Sequence, residues 1–231
     1  MTATSGEIQT IVAARSLAAK RSCFIGVGRP STAAILARMV HNPELVLVYE
    51  SGTIGAKPFR VPLSIGDGEL AETADAVVSV PEMFNYWIQP GRIQVAFLGA
   101  AQVDRGANLN STVIGDYASP RTRLPGAGGA PEIAIGCEEV VVIVPHSKRT
   151  FVSELDFVTT TGDRTTSVIT DLGVLTPRGG ELTLTALHPG VEPDQVREAT
   201  GWELRIADDL PTTDAPTDDE LAALRDLVSR G

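Results

Sequence analysis

The chain has 231 residues, 43% of them hydrophobic, and sets 19 Lys and Arg against 29 Asp and Glu for a formal net charge of −10. That length and apolar content allow a sizeable core, expected as a single domain over residues 1–231. The acidic balance, with a pI near 4.8, argues against nucleic acid, whose backbone needs clustered Lys and Arg. A locally basic pocket for a small anion remains compatible with it. No window approaches the roughly 18 uninterrupted apolar residues of a membrane span. The first twenty residues also lack a signal-peptide core, so a cytoplasmic location is expected. The two cysteines, Cys23 and Cys137, show no CxxC spacing and read as buried, inert thiols.

Thr4-Ser5-Gly6-Glu7 has the capping-box spacing and opens a helix. Ser22 to Val27 reads as the first core strand, ending in Gly26-Val27-Gly28-Arg29-Pro30. Pro30 and Ser31 suit the start of a helix over Thr32 to Val40, which Pro43 stops. Leu45 to Tyr49 is an apolar run right for a strand buried on both faces, with Glu50 at its carboxyl end, and a parallel right-handed crossover joins the two strands. Gly52, Gly55, Gly66, Gly68, Pro58 and Pro62 make residues 51–68 a long loop. Ala76 to Val80 predicts a short strand, Pro81 to Gln89 a short helix and Ile93 to Leu98 another buried strand.

Residues 99–129 are again irregular apart from a strand over Ser111 to Ile114. Pro131 to Gly136 reads as a short helix and Val140 to Val144 as a strand. Further strands are predicted over Phe151 to Thr159, Ser167 to Leu175 and Glu181 to Leu187. Asp194 to Thr200 is helical with Gly201 as its cap, Glu203 to Ala207 is a strand, and Thr217-Asp218-Asp219-Glu220 opens a final helix. Strands that alternate with helices indicate a three-layer α/β fold with a mostly parallel sheet.

Three stretches are candidates for chemistry. Gly26-Val27-Gly28 followed by an acidic residue at the next strand end imitates a dinucleotide-binding unit, but Ser31 stands where the third fingerprint glycine belongs. A plain strand-to-helix turn is the alternative. Glu50, at a strand's carboxyl end, is either a surface cap or a nucleophile able to attack an activated acyl group; the glycines after it favour the nucleophile. Pro125-Gly126-Ala127-Gly128-Gly129-Ala130 is a flexible loop or a backbone cradle for an oxyanion or phosphate. His41, His146 and His188 are scattered, without metal-ligand spacing, and read as structural or surface residues. Phe84, Tyr86 and Trp87 read as core or subunit interface. Arg105, Arg121, Arg123, Lys148 and Arg149 are candidate anion ligands against a default of solvated charge.

Taken with Val48-Tyr49-Glu50-Ser51-Gly52, Leu98-Gly99-Ala100-Ala101-Gln102-Val103-Asp104, Thr170-Asp171-Leu172-Gly173-Val174 and His188-Pro189-Gly190-Val191, these stretches resemble the β subunits of family I coenzyme A transferases over nearly the whole chain. The likeness is greatest to the branches acting on 3-oxoadipate and glutaconate. It implies a CoA-transferase-like fold and a ping-pong exchange in which Glu50 carries first an acyl group and then CoA. The donor would be an acyl-CoA such as succinyl-CoA, the acceptor a 3-oxo acid such as 3-oxoadipate from aromatic-compound catabolism. The resemblance places Gly128, Gly129, Gly28, Ser51 and Gly52 at the oxyanion or CoA. Lys57, Arg121 and Arg123 are candidates for a substrate carboxylate or a CoA phosphate. It implies coenzyme A as a substrate, no further cofactor and no metal. It also implies an α-subunit partner in a hetero-oligomer. Many 3-oxoacid transferases have Glu-Asn-Gly where this chain has Glu50-Ser51-Gly52, which bears on substrate identity. The alternatives are a CoA-thioester hydrolase of ring degradation and a non-catalytic nucleotide-binding module.

Overall fold

A computed structural model describes residues 2–230 of the chain. It divides into two compact units, one made of Met1–Leu98, Gly136–Glu138 and Ala215–Gly231, the other of Gly99–Ile135 and Glu139–Asp214. The class is α/β, as the alternation of elements predicts. In chain order the first stretch carries α1 (Ser5–Arg15), β1 (Ser22–Ile25), α2 (Arg29–Val40), β2 (Val46–Tyr49), β3 (Thr53–Ile54), α3 (Gly68–Glu72), β4 (Ala76–Val77), α4 (Val80–Glu82) and β5 (Val95–Leu98). The second carries β6 (Gln102–Val103), β7 (Leu109–Asn110), β8 (Val113–Ile114), β9 (Thr122–Arg123), α5 (Ala130–Gly136), β10 (Glu139–Ile143), β11 (Thr165–Ile169), β12 (Gly173–Arg178), β13 (Glu181–Leu187), α6 (Pro193–Glu198) and β14 (Arg205–Ile206). The chain ends in α7 (Asp218–Ser229).

In the first unit β1 pairs in parallel with both β2 and β5, Phe24 lying opposite Val48 and Ala96. Leu47, Val48 and Tyr49 are each at most 1% exposed, which is why β2 reads as a continuous apolar run rather than an alternating one. The chain then reverses, and β3 and β4 add antiparallel strands beyond β2. The reversal depends on Gly52. Its φ is +102°, and a Cβ there would lie 1.9 Å from the carbonyl oxygen of Val78. The Gly52 amide donates to the Tyr49 carbonyl at 3.0 Å and its carbonyl accepts from the Val78 amide at 2.9 Å. A side chain at 52 therefore separates the loop from β4.

Helices α1, α2 and α7 pack together, and charge fastens the two ends of the chain. Thr4 and Glu7 form the capping box expected for α1, and Thr217 and Glu220 form one for α7. The same two glutamates reach across. Arg15 donates to Glu220 through Nε at 2.7 Å and Nη2 at 2.6 Å, and Arg225 donates to Glu7 through Nε at 2.6 Å. The hydrogen bond from Arg225, with those from Thr4, holds the Glu7 carboxyl at about 2. For Glu220 burial pushes upward, but Arg15 and Thr217 override it and its carboxyl also stands at about 2.

The expected helix over Pro81 to Gln89 is one short α-turn that passes into a π-helix over Met83–Ile88. Its i→i+5 bonds run from the Gln89 amide to the Phe84 carbonyl (2.9 Å) and from the Arg92 amide to the Trp87 carbonyl (3.0 Å). The wider turn brings Met83 and Ile88, five residues apart and both fully buried, to one side, where an α-helix would set them about 140° apart.

In the second unit β10 and β11 are parallel, β11-β12-β13 is an antiparallel meander, and β14 returns parallel to β13. The helix expected to end at Thr200 with Gly201 as its cap ends at Glu198 with Ala199 as the cap, because the Gly201 amide is taken by the Phe151 carbonyl at 2.8 Å; two predicted strands fail as well. The strand predicted over Ser167 to Leu175 is two strands, because the Thr170 hydroxyl accepts the Leu172 and Gly173 amides at 3.1 Å each and closes a turn. The strand predicted over Phe151 to Thr159 is irregular, with isolated bridges only from Val103 to Phe151 and from Leu109 to Thr160. Between them the Asp156 amide bonds to the Gln102 side chain (3.3 Å) instead of a neighbouring strand. Phe151 is a buried anchor, stacked on the His146 ring at 3.9 Å and tilted against Trp202.

Three outcomes follow from these contacts. Gly52→Ala lowers stability by several kcal/mol, since the left-handed backbone and the blocked carbonyl both oppose it; an unchanged urea midpoint would contradict the close approach. Glu220→Gln breaks a nearly buried ion pair and costs about 3 kcal/mol at pH 7. Acid lability comes in two windows. Burial depresses the His146 pKa from 6.5 to about 4, so its contribution is complete above pH 6.5 and lost as pH falls toward 4. Glu7 and Glu220, depressed from 4.5 to about 2, lose theirs below pH 4.5. Denaturation midpoints measured against pH should show both declines, and Glu220→Gln should flatten the lower one.

Candidate active site

Glu50 follows the last residue of β2 directly and is half-buried in the turn that leads to β3. Among the described residues its carboxylate has no ion-pair or hydrogen-bond partner, whereas the other conspicuous glutamates, 7 and 220, are both saturated. Two further polar groups beside it are buried without partners, the hydroxyls of Ser51 and Thr53. Buried hydroxyls normally find partners, and leaving one unpaired costs about 1–3 kcal/mol. Both hydroxyls belong to the turn and strand that follow Glu50 in the chain. Thr53 had no signal in the sequence, because a threonine in a strand is ordinary.

Gly28 is the N-cap of α2, with φ +80° and no atom within 4 Å of a would-be Cβ, so the backbone there is open to an approaching group. It lines two cavities of about 620 and 450 Å³. Ser31, in the third-glycine position of the dinucleotide pattern, is fully buried and its hydroxyl lies 3.1 Å from the Tyr49 hydroxyl. It fastens α2 to β2 instead of making room for a pyrophosphate. Burial pushes the Tyr49 hydroxyl up to about 12, so that it stays protonated. Lys57 is ion-paired with Asp75, and its amide donates to the Thr73 hydroxyl at 3.0 Å.

In the second unit the glycine loop is tied down at one end and open in the middle. The Gly126 amide donates to the Ser111 carbonyl at 2.9 Å and its carbonyl accepts from the Ser111 hydroxyl at 3.0 Å. Gly128 has φ +51° with open space where a Cβ would be, and the Gly129 carbonyl accepts from the Ile133 amide at 2.9 Å as α5 begins. The arginines part company. Arg123 donates to the Tyr117 carbonyl at 2.7 Å and lies 4.6 Å over the Tyr117 ring, itself stacked on Phe157. Arg121 makes no ion pair among the described residues and lines a separate cavity of about 570 Å³. Arg105 approaches Glu181 at 3.8 Å.

The histidines are structural, as expected. His146 Nδ1 and Nε2 lie 3.2 and 3.0 Å from the Thr170 and Thr200 hydroxyls, and His188 bonds to Thr213 and to the Thr170 carbonyl. His41 Nε2 lies 3.2 Å from Glu220. Both cysteines are buried and neither is in a disulfide, and burial raises the Cys23 thiol well above its usual range. Of the aromatic cluster, Phe84 and Trp87 are half-buried and Tyr86 is 60% exposed, so it is not core. Among the described residues no set of three His, Cys, Asp or Glu is grouped to hold a metal ion. No helix among them is long and apolar enough to cross a membrane.

The family model described as coenzyme A transferase matches residues 7–199. The chain is 53% identical to a 3-oxoadipate CoA-transferase subunit of Pseudomonas knackmussii, over 98% of this chain and 94% of that one. It superposes on the crystal structure of glutaconate coenzyme A-transferase from Acidaminococcus fermentans with a TM-score of 0.90 at 29% identity, over 96% of this chain and 94% of that one. It is also 29% identical to the cholesterol ring-cleaving hydrolase IpdB subunit of Mycobacterium tuberculosis, over 86% of this chain and 83% of that one, so the likeness extends to a hydrolase. With a matching model over most of its length and a relative more than half identical, the chain belongs to the coenzyme A transferase family.

Proposed function

We infer that this chain is the β subunit of a CoA-transferase that works with an α subunit, in the cytoplasm, to move CoA from a donor such as succinyl-CoA to 3-oxoadipate. The observation that carries the reading is the free, half-buried Glu50 carboxylate at the end of β2 in a chain 53% identical to a 3-oxoadipate CoA-transferase subunit. The whole of residues 1–231 acts as that one subunit. Coenzyme A enters as a substrate and no other cofactor takes part.

In the proposed cycle a Glu50 oxygen attacks the thioester carbonyl of the donor, the C–S bond breaks, and an acyl-glutamyl anhydride and CoA thiolate result. The thiolate attacks the Glu50 carbonyl carbon, expelling the donor carboxylate and leaving a glutamyl-CoA thioester. The acceptor carboxylate attacks that thioester to give a second anhydride and the thiolate again. Attack of the thiolate on the acceptor's carbonyl then yields the new acyl-CoA and frees Glu50. Every step exchanges a carboxylate for a thiolate and none needs a proton, which suits a carboxylate without a basic partner. Gly28, Ser51 and Gly52 border the reacting groups, and the open backbone at Gly128, beside Gly129, is of the kind that receives an oxyanion. The hydrolase and binding-module readings are less favoured, because the relative of much higher identity is a transferase subunit.

The test is a Glu50→Gln enzyme assembled with its α subunit. Transfer should fall at least about a thousandfold, as loss of a covalent nucleophile does elsewhere. With donor but no acceptor, wild type should accumulate a thioester that borohydride reduces at Glu50, seen by intact mass and peptide mapping. Normal transfer by Glu50→Gln, or acyl-CoA consumption that ignores the acceptor, sinks the reading.

A further inference from the structure

We propose that the cavity lined by Arg121, Lys148 and Arg149 binds the phosphate groups at the nucleotide end of the acyl-CoA. This deepens the transferase reading and rests on it. The cavity, about 570 Å³, is formed by Ala101, Gln102, Ile114, Thr122 and Val152 together with the three cations, and no carboxylate lines it. Among the described residues none of the three is in an ion pair, in a chain whose Lys57, Arg60, Arg105, Arg197, Arg205, Arg225 and Arg230 all are. A protein of net charge −10 that leaves three cations unneutralised around one cavity has built a local positive field.

Both elements that carry the cations are held before any ligand arrives. Lys148 and Arg149 are the central residues of a tight turn in which the Ser147 carbonyl accepts from the Thr150 and Phe151 amides at 2.9 and 2.8 Å. The turn is bracketed by buried His146, whose amide donates to Asp171 at 2.7 Å, and by Phe151 beneath it. Beyond it, the Val103 amide donates to the Thr150 carbonyl at 2.7 Å and the Val152 amide to the Val103 carbonyl at 3.0 Å, which sets the turn beside β6. Arg121 immediately precedes β9, its amide donating to the Ile114 carbonyl at 2.9 Å. Gln102 is a satisfied floor residue, accepting from Asn110 at 2.6 Å and donating to Asp156 at 2.7 Å.

The charge count selects the ligand. One carboxylate of a small acid matches one cation, whereas a 3′-phosphate with a diphosphate carries roughly four negative charges, the 3′-monoester contributing about −1.5 to −2 and each phosphate of the diphosphate about −1. Arginine and lysine are the residues that bind such oxygens, the first as a fork and the second as a point charge. Ile114 and Val152 supply an apolar side for the purine, and the volume falls within the ordinary range of small-molecule sites. Arg123 and Lys57, engaged by Tyr117 and Asp75, are left out of the assignment.

The experiment uses the assembled complex with three substitutions in the β chain, Arg121→Ala, Lys148→Ala and Arg149→Ala, singly and as the Lys148/Arg149 pair. Calorimetric titration with adenosine 3′,5′-bisphosphate should show binding to wild type and to Glu50→Gln, weakened tenfold or more by the pair and partly restored by Lys148→Arg. Steady-state assays should place the loss on kcat/KM for the CoA donor, and the preference of wild type for succinyl-CoA over its dephospho analogue should shrink at least fivefold. Melting temperatures at the wild-type value establish that the variants are folded. Should the pair instead raise KM for the acceptor acid and leave bisphosphate binding intact, the cavity serves a carboxylate and the proposal fails. Unchanged binding and kinetics in all variants overturn it as well. Because the titration needs no chemistry, bisphosphate binding that depends on Lys148 and Arg149 in a complex lacking transfer would uphold the cavity while removing the transferase reading.

Discussion

The first unit depends on the close approach of two backbones, at Gly52 and Val78. β2 is sealed on both faces, so a polar side chain can be carried only where the strand ends, and the chain then turns back at once to pair as β3. The turn is tight enough that a methyl group at position 52 would lie 1.9 Å from a carbonyl oxygen. Glycine is thus a structural requirement of the reversal, and the reversal is what leaves Glu50 half-buried and unpaired. Ser31 and Tyr49 work from the other side, tying α2 to the same strand. Among the described residues no basic side chain pairs with that carboxylate.

Charge is used differently elsewhere. Around α1 and α7 carboxylates are saturated twice over, each acting as a cap for its own helix and as a partner to an arginine of the other. These pairs join segments more than 200 positions apart, where the covalent chain offers no constraint. In the second unit the buried network of His146, His188, Thr170 and Thr200 is neutral and fully paired. Burial keeps His146 from taking up a proton, so it serves as a rigid footing for the turn above it rather than as an acid or base. The cations of that turn, Lys148 and Arg149, are exposed.

Likeness of fold does not decide reaction here, since a ring-cleaving hydrolase subunit shares most of the chain. Transfer and hydrolysis part at a single point, whether a carboxylate stands ready to be acylated and whether water is kept from the product. On the proposed reading Glu50 is that carboxylate. Ser51 and Thr53, the next two polar side chains along the chain, have buried hydroxyls without partners.

Much of this was legible in the linear sequence because it is local. The apolar run before Glu50, the two Thr-x-x-Glu capping boxes and the glycine loop before α5 each act over a few residues, and each appears where pattern predicts it. Elements whose fate is decided by distant partners were not legible. Phe151 to Thr159 has the composition of a strand, but its anchor is claimed by His146 and Trp202. Ser167 to Leu175 folds in half because one threonine hydroxyl can accept two amides. The aromatics of 84–87 look like core until π-helical winding turns Met83 and Ile88 inward in their place. The sequence by itself determined the α/β class, the capped starts of α1 and α7 and the carboxylate at the strand's end, for these follow from periodicity and short-range hydrogen bonding. Only the tertiary structure decided which cations stay free, since whether Arg121 or Arg123 finds a partner depends on a tyrosine that the fold sets beside one and not the other.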